Sequence, residues 1–158
     1  MSEATSGECA RDVSVEAAAE QDVAEILTVL KGAFAPFSAE FRPTALRQTA
    51  ESVGRELSRW LIARHNGRIH GCVMQYPEGS HYTLCFLAVS PDHRKLGLGS
   101  ALVEAVIERA GAAGCREIHI ALRRSLAQNI AFFERRGFRF LAPFNPHTHD
   151  LYRLTLGA

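Results

Sequence analysis

The residues best suited to chemistry lie in one stretch, Val89-Ser90-Pro91-Asp92-His93-Arg94-Lys95-Leu96-Gly97-Leu98-Gly99-Ser100. An apolar, strand-like run stops at a proline. A loop carrying Arg and Lys then passes through two glycines into an amphipathic pattern of helical period. Glycine lets backbone come close to a ligand and take dihedrals closed to other residues. The first amides of a helix have no internal acceptor and point outward, so they form a site for anionic phosphate oxygens. Arg94 and Lys95 add positive charge at the same place. The chemistry on offer is capture of a phosphorylated ligand by backbone amides.

Two common nucleotide motifs do not fit this stretch. The dinucleotide fingerprint needs a third Gly three residues after the second, where this chain has Leu102. The P-loop needs Gly-Lys-Ser/Thr, but Gly97 and Gly99 are followed by Leu98 and Ser100. The cysteines, Cys9, Cys72, Cys85 and Cys115, form no CxxC pair, which excludes a zinc ribbon or a thioredoxin-type redox couple. Three of them sit in apolar runs, as reduced, buried thiols do. Of the seven histidines only His147 and His149 are close together, with Asp150 alone beside them, too few ligands for a metal site. No metal is expected.

The elements that must position the loop follow from hydrophobic period and turn residues. A strand is expected around Asp12 to Val15. A helix follows over Glu20 to Gly32, with Val23, Ile26, Leu27 and Leu30 on one face and Gly32 as its end. A second helical pattern runs from Pro43 to about Arg59. Trp60 to His65, Arg68 to Tyr76 and His81 to Val89 read as three strands of an antiparallel meander. They are joined by Asn66-Gly67, a strong hairpin signal, and by the turn Pro77-Glu78-Gly79-Ser80. Gly97 to Ala113 is a helix, Glu117 to Leu122 a strand, and Leu126 to Arg136 a helix. Ser125 to Gln128 has the capping-box pattern, and Gly137-Phe138 suits a left-handed C-terminal cap. Strands over Phe138 to Leu141 and Asp150 to Leu156 close the chain. The order β-α-α-β-β-β-α-β-α-β-β predicts an α/β fold, a mixed sheet with helices on its faces.

The full stretch Arg94-Lys95-Leu96-Gly97-Leu98-Gly99 resembles the Arg/Gln-x-x-Gly-x-Gly/Ala signature of the GNAT family of N-acetyltransferases. Leu87-Ala88-Val89-Ser90-Pro91 is similar to that family's central strand. Asn129-Ile130-Ala131-Phe132-Phe133-Glu134-Arg135-Arg136-Gly137-Phe138 is similar to its last helix, which usually ends Tyr-Glu-x-x-Gly-Phe. Both motifs stand in register with the expected element order, and the resemblance covers about Val13 to Leu156. It implies a GNAT-type acyl-CoA N-acyltransferase fold and acetyl-CoA as co-substrate. By that resemblance Leu87, Ala88 and Val89 pair with pantetheine like an added strand, where a bulge parts the central strand from its neighbour. The amides from Arg94 or Lys95 through Leu96, Gly97, Leu98 and Gly99 to Ser100 hold the pyrophosphate. Asn129, Phe132 and Phe133 meet the ligand from the last helix. Adjacent helical residues point about 100° apart, so Phe132 and Phe133 cannot both face the same way.

Acetyl transfer to an amine needs a neutral nucleophile, and an alkylamine holds its proton to a pH of about 10. Many family members supply an acid for the departing thiolate from a Tyr at the position of Phe133, and Phe has no proton to give. The branch that acetylates ribosomal proteins carries a Glu at the position of Ala121, so the resemblance argues against that branch. His119, two residues before Ala121 on the same strand face, is the substitute base, and Tyr82 is the second catalytic candidate. His81, Glu78 and Tyr152 are further options. Phe34, Phe37 and Phe41 lend the acceptor side an apolar character, with Phe34 and Phe37 as candidate substrate contacts. The loop Pro143 to His149 is the other wall.

Composition sets the frame. The chain has 158 residues, a formal net charge of +1, 47% hydrophobic and 22% charged residues, as ordinary soluble globular domains do. Balanced charge excludes a binding mode that depends on a polybasic surface, so neither nucleic acid nor an anionic membrane is an expected partner. The central apolar stretch Cys85 to Val89 is far short of a membrane span. Residues 1–11 lack the basic start and apolar stretch of a signal peptide. The expectation is a flexible tail over residues 1–10, one N-acetyltransferase domain over residues 11–158, and a cytoplasmic location. The expected partner is a small-molecule or peptide amine acceptor, with a homodimer as an allowed assembly. The competing readings are an acyl-CoA-binding module of the same fold with little turnover and a nucleotide-binding regulatory domain.

Overall fold

The computed structural model describes residues 13–157. The expected tail over residues 1–10, Cys9 and the first residue of the expected N-terminal strand lie outside the described residues. The elements are β1 (Val13–Ala17), α1 (Val23–Phe34), α2 (Ala50–Arg55), β2 (Trp60–His65), β3 (Arg68–Glu78), β4 (His81–Val89), α3 (Leu98–Ala112), β5 (Glu117–Arg123), α4 (Ala127–Glu134), β6 (Arg139–Asn145) and β7 (His149–Thr155), with short 3₁₀ turns among them. The hydrogen-bonded strand order is β1-β2-β3-β4-β5-β7-β6. The β4–β5 pair is parallel, whereas β1–β2, β2–β3, β5–β7 and β6–β7 are antiparallel, so the sheet is mixed.

The chain divides into two compact units, and β3, β4 and α3 each contribute residues to both. The first comprises residues 13–74 and Phe86–Ala105. Its core holds Ile26 and Leu30 of α1, Val53 of α2, Trp60, Leu61 and Ile62 of β2, and Leu98 and Leu102 of α3. β2 is buried at four successive residues, Trp60 to Ala63, as a strand covered on both faces requires. Asn66 and Gly67 both take positive φ, 53° and 80°, and turn β2 into β3 as the Asn-Gly pair predicts. Gly71 of β3 leaves room for α3: a Cβ there would stand 3.1 Å from a methyl of Leu102.

The helical region of this unit departs from expectation twice. Gly32 does not end α1, which continues to Phe34. An interior glycine costs only about 1 kcal/mol, and burial of Ala33 one residue on outweighs it. The single helix expected from Pro43 to Arg59 is instead a 3₁₀ turn at Thr44–Arg47, the six-residue α2, and a 3₁₀ turn at Leu57–Arg59. Thr49 is the cause. It is extended (φ −122°, ψ 167°), its Oγ1 accepts from the Ser52 amide at 3.1 Å, and Ser52 Oγ accepts from the Thr49 amide at 2.8 Å. Local side-chain bonds of this kind compete with a continuous helix.

The second unit comprises Gln75–Cys85 and residues 106–157. Ile118, Ile120 and Leu122 put one face of β5 in the core, with Tyr82, Leu84, Phe133, Phe138 and Tyr152. α4 ends in a Schellman cap. Gly137 is left-handed (φ 95°), its amide donates to Glu134 O at 3.0 Å, and the Phe138 amide reaches back to Phe133 O at 3.1 Å. The accompanying contact is Phe133 against Phe138, edge to face at 5.3 Å. At its start α4 differs from expectation. Ser125 caps nothing, because Leu126 is the N-cap residue and its amide closes a turn onto Arg123 O at 3.1 Å. β6 also runs on through Pro143 to Asn145, where a loop was expected. It ends the strand order, and a proline is tolerated on an edge strand.

Candidate functional site

In the first unit, β4 reaches Val89 and the chain enters a 3₁₀ turn, Pro91–Leu96, that presents Arg94, Lys95 and Leu96 at the surface. Gly97 closes the turn with φ 78°, ψ 14°, a left-handed conformation that favours glycine, and Leu98 begins α3 as a fully buried anchor. The Ala101 amide donates to Gly97 O at 3.0 Å, so the amides of Leu98 and Gly99 precede the helical ladder. Amides at a helix start beside two exposed cations fit a diphosphate. Upstream, Phe86 is left-handed (φ 54°), a conformation that strains a bulky residue, and its ring stacks on Trp60 at 6.1 Å. This kink lies within β4 immediately before Leu87, Ala88 and Val89.

The loop is tied to a histidine cluster of the same unit. The Ser90 amide donates to His70 O at 2.7 Å. The His93 ring stacks on His70 at 3.5 Å and meets His65 edge-on at 5.8 Å. His65 Nε2 and His93 Nδ1 are buried without a hydrogen-bond partner. Burial, reinforced by the charges of His93, His65 and Arg68, holds His70 below the ordinary imidazole value. Among the described residues no group of three or more His, Cys, Asp or Glu is placed to hold a metal ion. Phe34 is the half-buried last residue of α1, and Phe37 stacks on Phe41 at 6.0 Å.

In the second unit, the two catalytic candidates occupy opposite faces. The β4–β5 ladder comprises Tyr82↔Ile118 and Thr83↔His119. Tyr82 shares the buried face with Ile118. Its hydroxyl donates to Oε1 of the buried Gln75, and burial pushes the phenol up, away from proton donation near neutrality. His119 lies on the other face with Glu117 and Ala121. Its Nε2 is 2.9 Å from Glu117 Oε1, and its ring stacks on His81 at 3.9 Å. The hydrogen bond to His119 is the main reason that Glu117 lies below the usual carboxylate range, with the Arg153, His119 and His81 charges adding to it against burial. The sequence reading did not single out Glu117 or Arg153. The i, i+2 spacing of Glu117 and His119 was available, but Arg153 enters only through the β5–β7 register, in which it faces His119.

On α4, Asn129 is exposed and Phe133 is only 1% exposed, so the Phe133 ring is committed to packing. Phe132 is half-buried, and the Arg136 guanidinium lies 3.6 Å over its ring. Tyr152 is buried edge-on against Phe140. Arg124 organises the final hairpin, donating to Asp150 Oδ1 and Pro146 O, both at 2.9 Å.

Element order, mixed sheet, kinked β4 and glycine loop together define an α/β fold of the acyltransferase type. The chain belongs to the acetyltransferase (GNAT) family, whose model matches residues 23–138. It is similar to an amino-acid acetyltransferase of Azotobacter vinelandii, with 31% identity over 96 residues that cover 60% of this chain and 21% of that protein. It is also similar to an acetyltransferase of Pectobacterium atrosepticum, with 33% identity over 76 residues, 48% of this chain and 54% of that one. The chain thus spans from about a fifth to about half the length of these curated relatives. In fold it matches the PaiA N-acetyltransferase of Thermoplasma acidophilum, solved in complex with coenzyme A, with TM-score 0.80 and 12% identity over 90% of this chain and 98% of that one. No helix among the described residues is long and apolar enough to cross a membrane.

Proposed function

We propose that the protein transfers an acetyl group from acetyl-CoA to the primary amine of a small molecule or peptide in a ternary complex. The observation that carries this reading is the run from the Phe86 kink through Leu87–Val89 to the left-handed Gly97 and the open amides of α3. When bound, acetyl-CoA would supply a thioester whose acetyl group replaces one hydrogen of the neutral amine, giving an amide and a thiol, and an acceptor that enters as an ammonium releases one further proton.

The amides from Arg94 or Lys95 to Ser100 hold the diphosphate, with the Arg94 and Lys95 side chains adding charge-assisted contacts. Backbone groups of Leu87, Ala88 and Val89 align the pantetheine arm, and the Val89 amide is the hydrogen-bond donor for the carbonyl oxygen. On the family resemblance, Asn129 and Phe132 contact the same arm. His119 takes a proton from the acceptor ammonium. Phe133 supplies no acid, so positioning of the reactants and the leaving ability of a thiolate carry that part of the barrier. Phe34 and Phe37 contact the acceptor. We place the reaction in the cytoplasm. A second copy of the chain, if it assembles, has exposed Phe140 and Phe144 on β6 as an apolar edge.

The deciding experiment combines calorimetric titration with CoA and thiol-release assays of acetyl-CoA against a panel of amino acids, peptide amines and polyamines. Micromolar CoA binding with amine-dependent thiol release is the expected result. No CoA binding overturns the reading. Binding without release for any amine replaces it with that of an acyl-CoA-binding module, which the buried Phe133 and the committed Tyr82 hydroxyl would then explain.

A further inference from the structure

We infer that Glu117 is a positioning residue for His119, and that the two form a carboxylate–imidazole dyad presenting Nδ1 of His119 as the proton acceptor. The inference rests on the acetyl-transfer reading above and names how its base is set.

Strand alternation puts Glu117 and His119 on the same face of β5, two residues apart. His119 Nε2 and Glu117 Oε1 are 2.9 Å apart. An ionised carboxylate only accepts hydrogen bonds, so Nε2 carries the proton in the neutral ring and Nδ1 carries the lone pair. Glu117 is held ionised and in place from its other side, because Arg153 Nη1 stands 3.4 Å from Oε2. Arg153 faces His119 across the β5–β7 ladder. The carboxylate is thus divided between its two oxygens, one on the imidazole and one on the guanidinium. A bidentate grip by Arg153 would leave Glu117 less free to orient His119.

The remaining groups facing His119 come from β4 and the end of β3. The His81 ring of β4 lies over it at 3.9 Å and 13°. His81 Nε2 is 3.5 Å from Oε1 of Glu78 at the end of β3, which also accepts from Thr83 Oγ1 at 2.8 Å. Two stacked imidazoles at this separation cannot both be cationic without strong repulsion. Each ring has its own carboxylate, Glu117 at 2.9 Å from His119 and Glu78 at 3.5 Å from His81, so the shorter pairing is that of His119. His119 is the ring with the closer carboxylate, and His81 is the aromatic face stacked on it.

Position along the strand agrees. Thr83↔His119 is the second and last rung of the parallel β4–β5 ladder among the described residues, and the next residue on the His119 face, Ala121, carries only a methyl group. In the transfer step an N–H bond of the acceptor ammonium breaks and its electron pair stays on nitrogen. An Nδ1–H bond forms on His119. The products are a neutral amine and an imidazolium lying between the Glu117 carboxylate and the His81 ring.

The test is Glu117→Gln beside Glu117→Asp. Nitrogen-15 NMR of the ligand-free protein reads the His119 ring directly. The parent should show the Nε2-protonated tautomer, and E117Q should lose that bias while E117D retains it. In steady-state assays E117Q should lower kcat/KM about ten-fold, as loss of an orienting carboxylate does elsewhere. Its acid limb should also move to lower pH, because removing the negative charge makes the imidazolium less favourable. CoA affinity should be unchanged, and E117D should restore most of the rate. An unchanged tautomer, or a uniform loss with the acid limb in place, overturns the dyad while leaving acetyl transfer standing. CoA binding without turnover in the parent overturns acetyl transfer, and the catalytic role of the dyad with it.

Discussion

The imidazole rings of His70 and His93 stack 3.5 Å apart at an interplanar angle of 10°, and His93 belongs to the turn that leads into the glycine loop. His70 is held below the ordinary imidazole value, since burial and the neighbouring His93, His65 and Arg68 charges all lower it, with only Glu25 opposing. A histidine held below its ordinary value is neutral when folded and gains its proton chiefly on unfolding. Its neutral form therefore supports the fold above the ordinary imidazole range, and that support is lost as pH falls through and below about 6.5. Thermal melts should show stability dropping between pH 7.5 and 5, with a shallower drop in His70→Phe. Equal slopes in the two proteins would remove the cluster as the cause.

Gly97 is left-handed, and a Cβ on it would meet nothing within 4 Å. The requirement is thus conformational rather than steric. Gly97→Ala should cost about 1–2 kcal/mol in stability if the loop keeps its shape. If the loop relaxes instead, CoA affinity should fall about five- to ten-fold. Gly97→Asn should be milder on both measures, because asparagine tolerates this region. Paired calorimetry and melting curves separate the two responses.

Arg94 and Lys95 are exposed, so in the proposed site their contribution to diphosphate binding is electrostatic and screened. Replacing both with Gln should weaken CoA about ten-fold at low ionic strength, and the gap from the parent should narrow several-fold at 0.5 M salt. A gap independent of salt would show that the side chains shape the loop rather than attract the ligand.

Phe133 lies between Phe132 at 5.1 Å and Phe138 at 5.3 Å, both edge to face. Phe138→Ala empties a fully buried site and removes the contact that locks the α4 cap, and it should cost about 3–5 kcal/mol. Phe133→Tyr restores the residue type usual at this position in the family, but it places a hydroxyl in an aromatic cluster. It should cost about 1–3 kcal/mol and leave kcat within two-fold of the parent. A large gain in kcat would show that the ring reaches the reacting atoms.

Much of the local structure was legible along the chain. The Arg94–Gly99 motif, the Asn66-Gly67 hairpin and the Gly137-Phe138 cap are all local, their geometry being set by residues within about one turn of each other. The same locality explains the failures. The pattern from Pro43 to Arg59 has helical period, yet Thr49 and Ser52 bond to each other's backbone amides and break it. Ser125 has the spacing of a capping box, yet the Arg123–Leu126 turn withdraws it from that role.

The surroundings of the two catalytic candidates were decided by strand register. Along the chain His119 is a candidate because of its distance from Ala121, with Tyr82 as the second. Pairing of β4 with β5 sets Thr83 beside His119 and turns Tyr82 to the buried face, where its hydroxyl is spent on Gln75. Pairing of β5 with β7 brings Arg153 opposite His119 from 34 positions further along the chain. The chain by itself therefore determined the family, the element order and the glycine loop between β4 and α3, because these follow from short-range spacing. Only the tertiary structure decided which titratable groups share a face, because a one-residue slip in register would send every one of those side chains to the other side of the sheet.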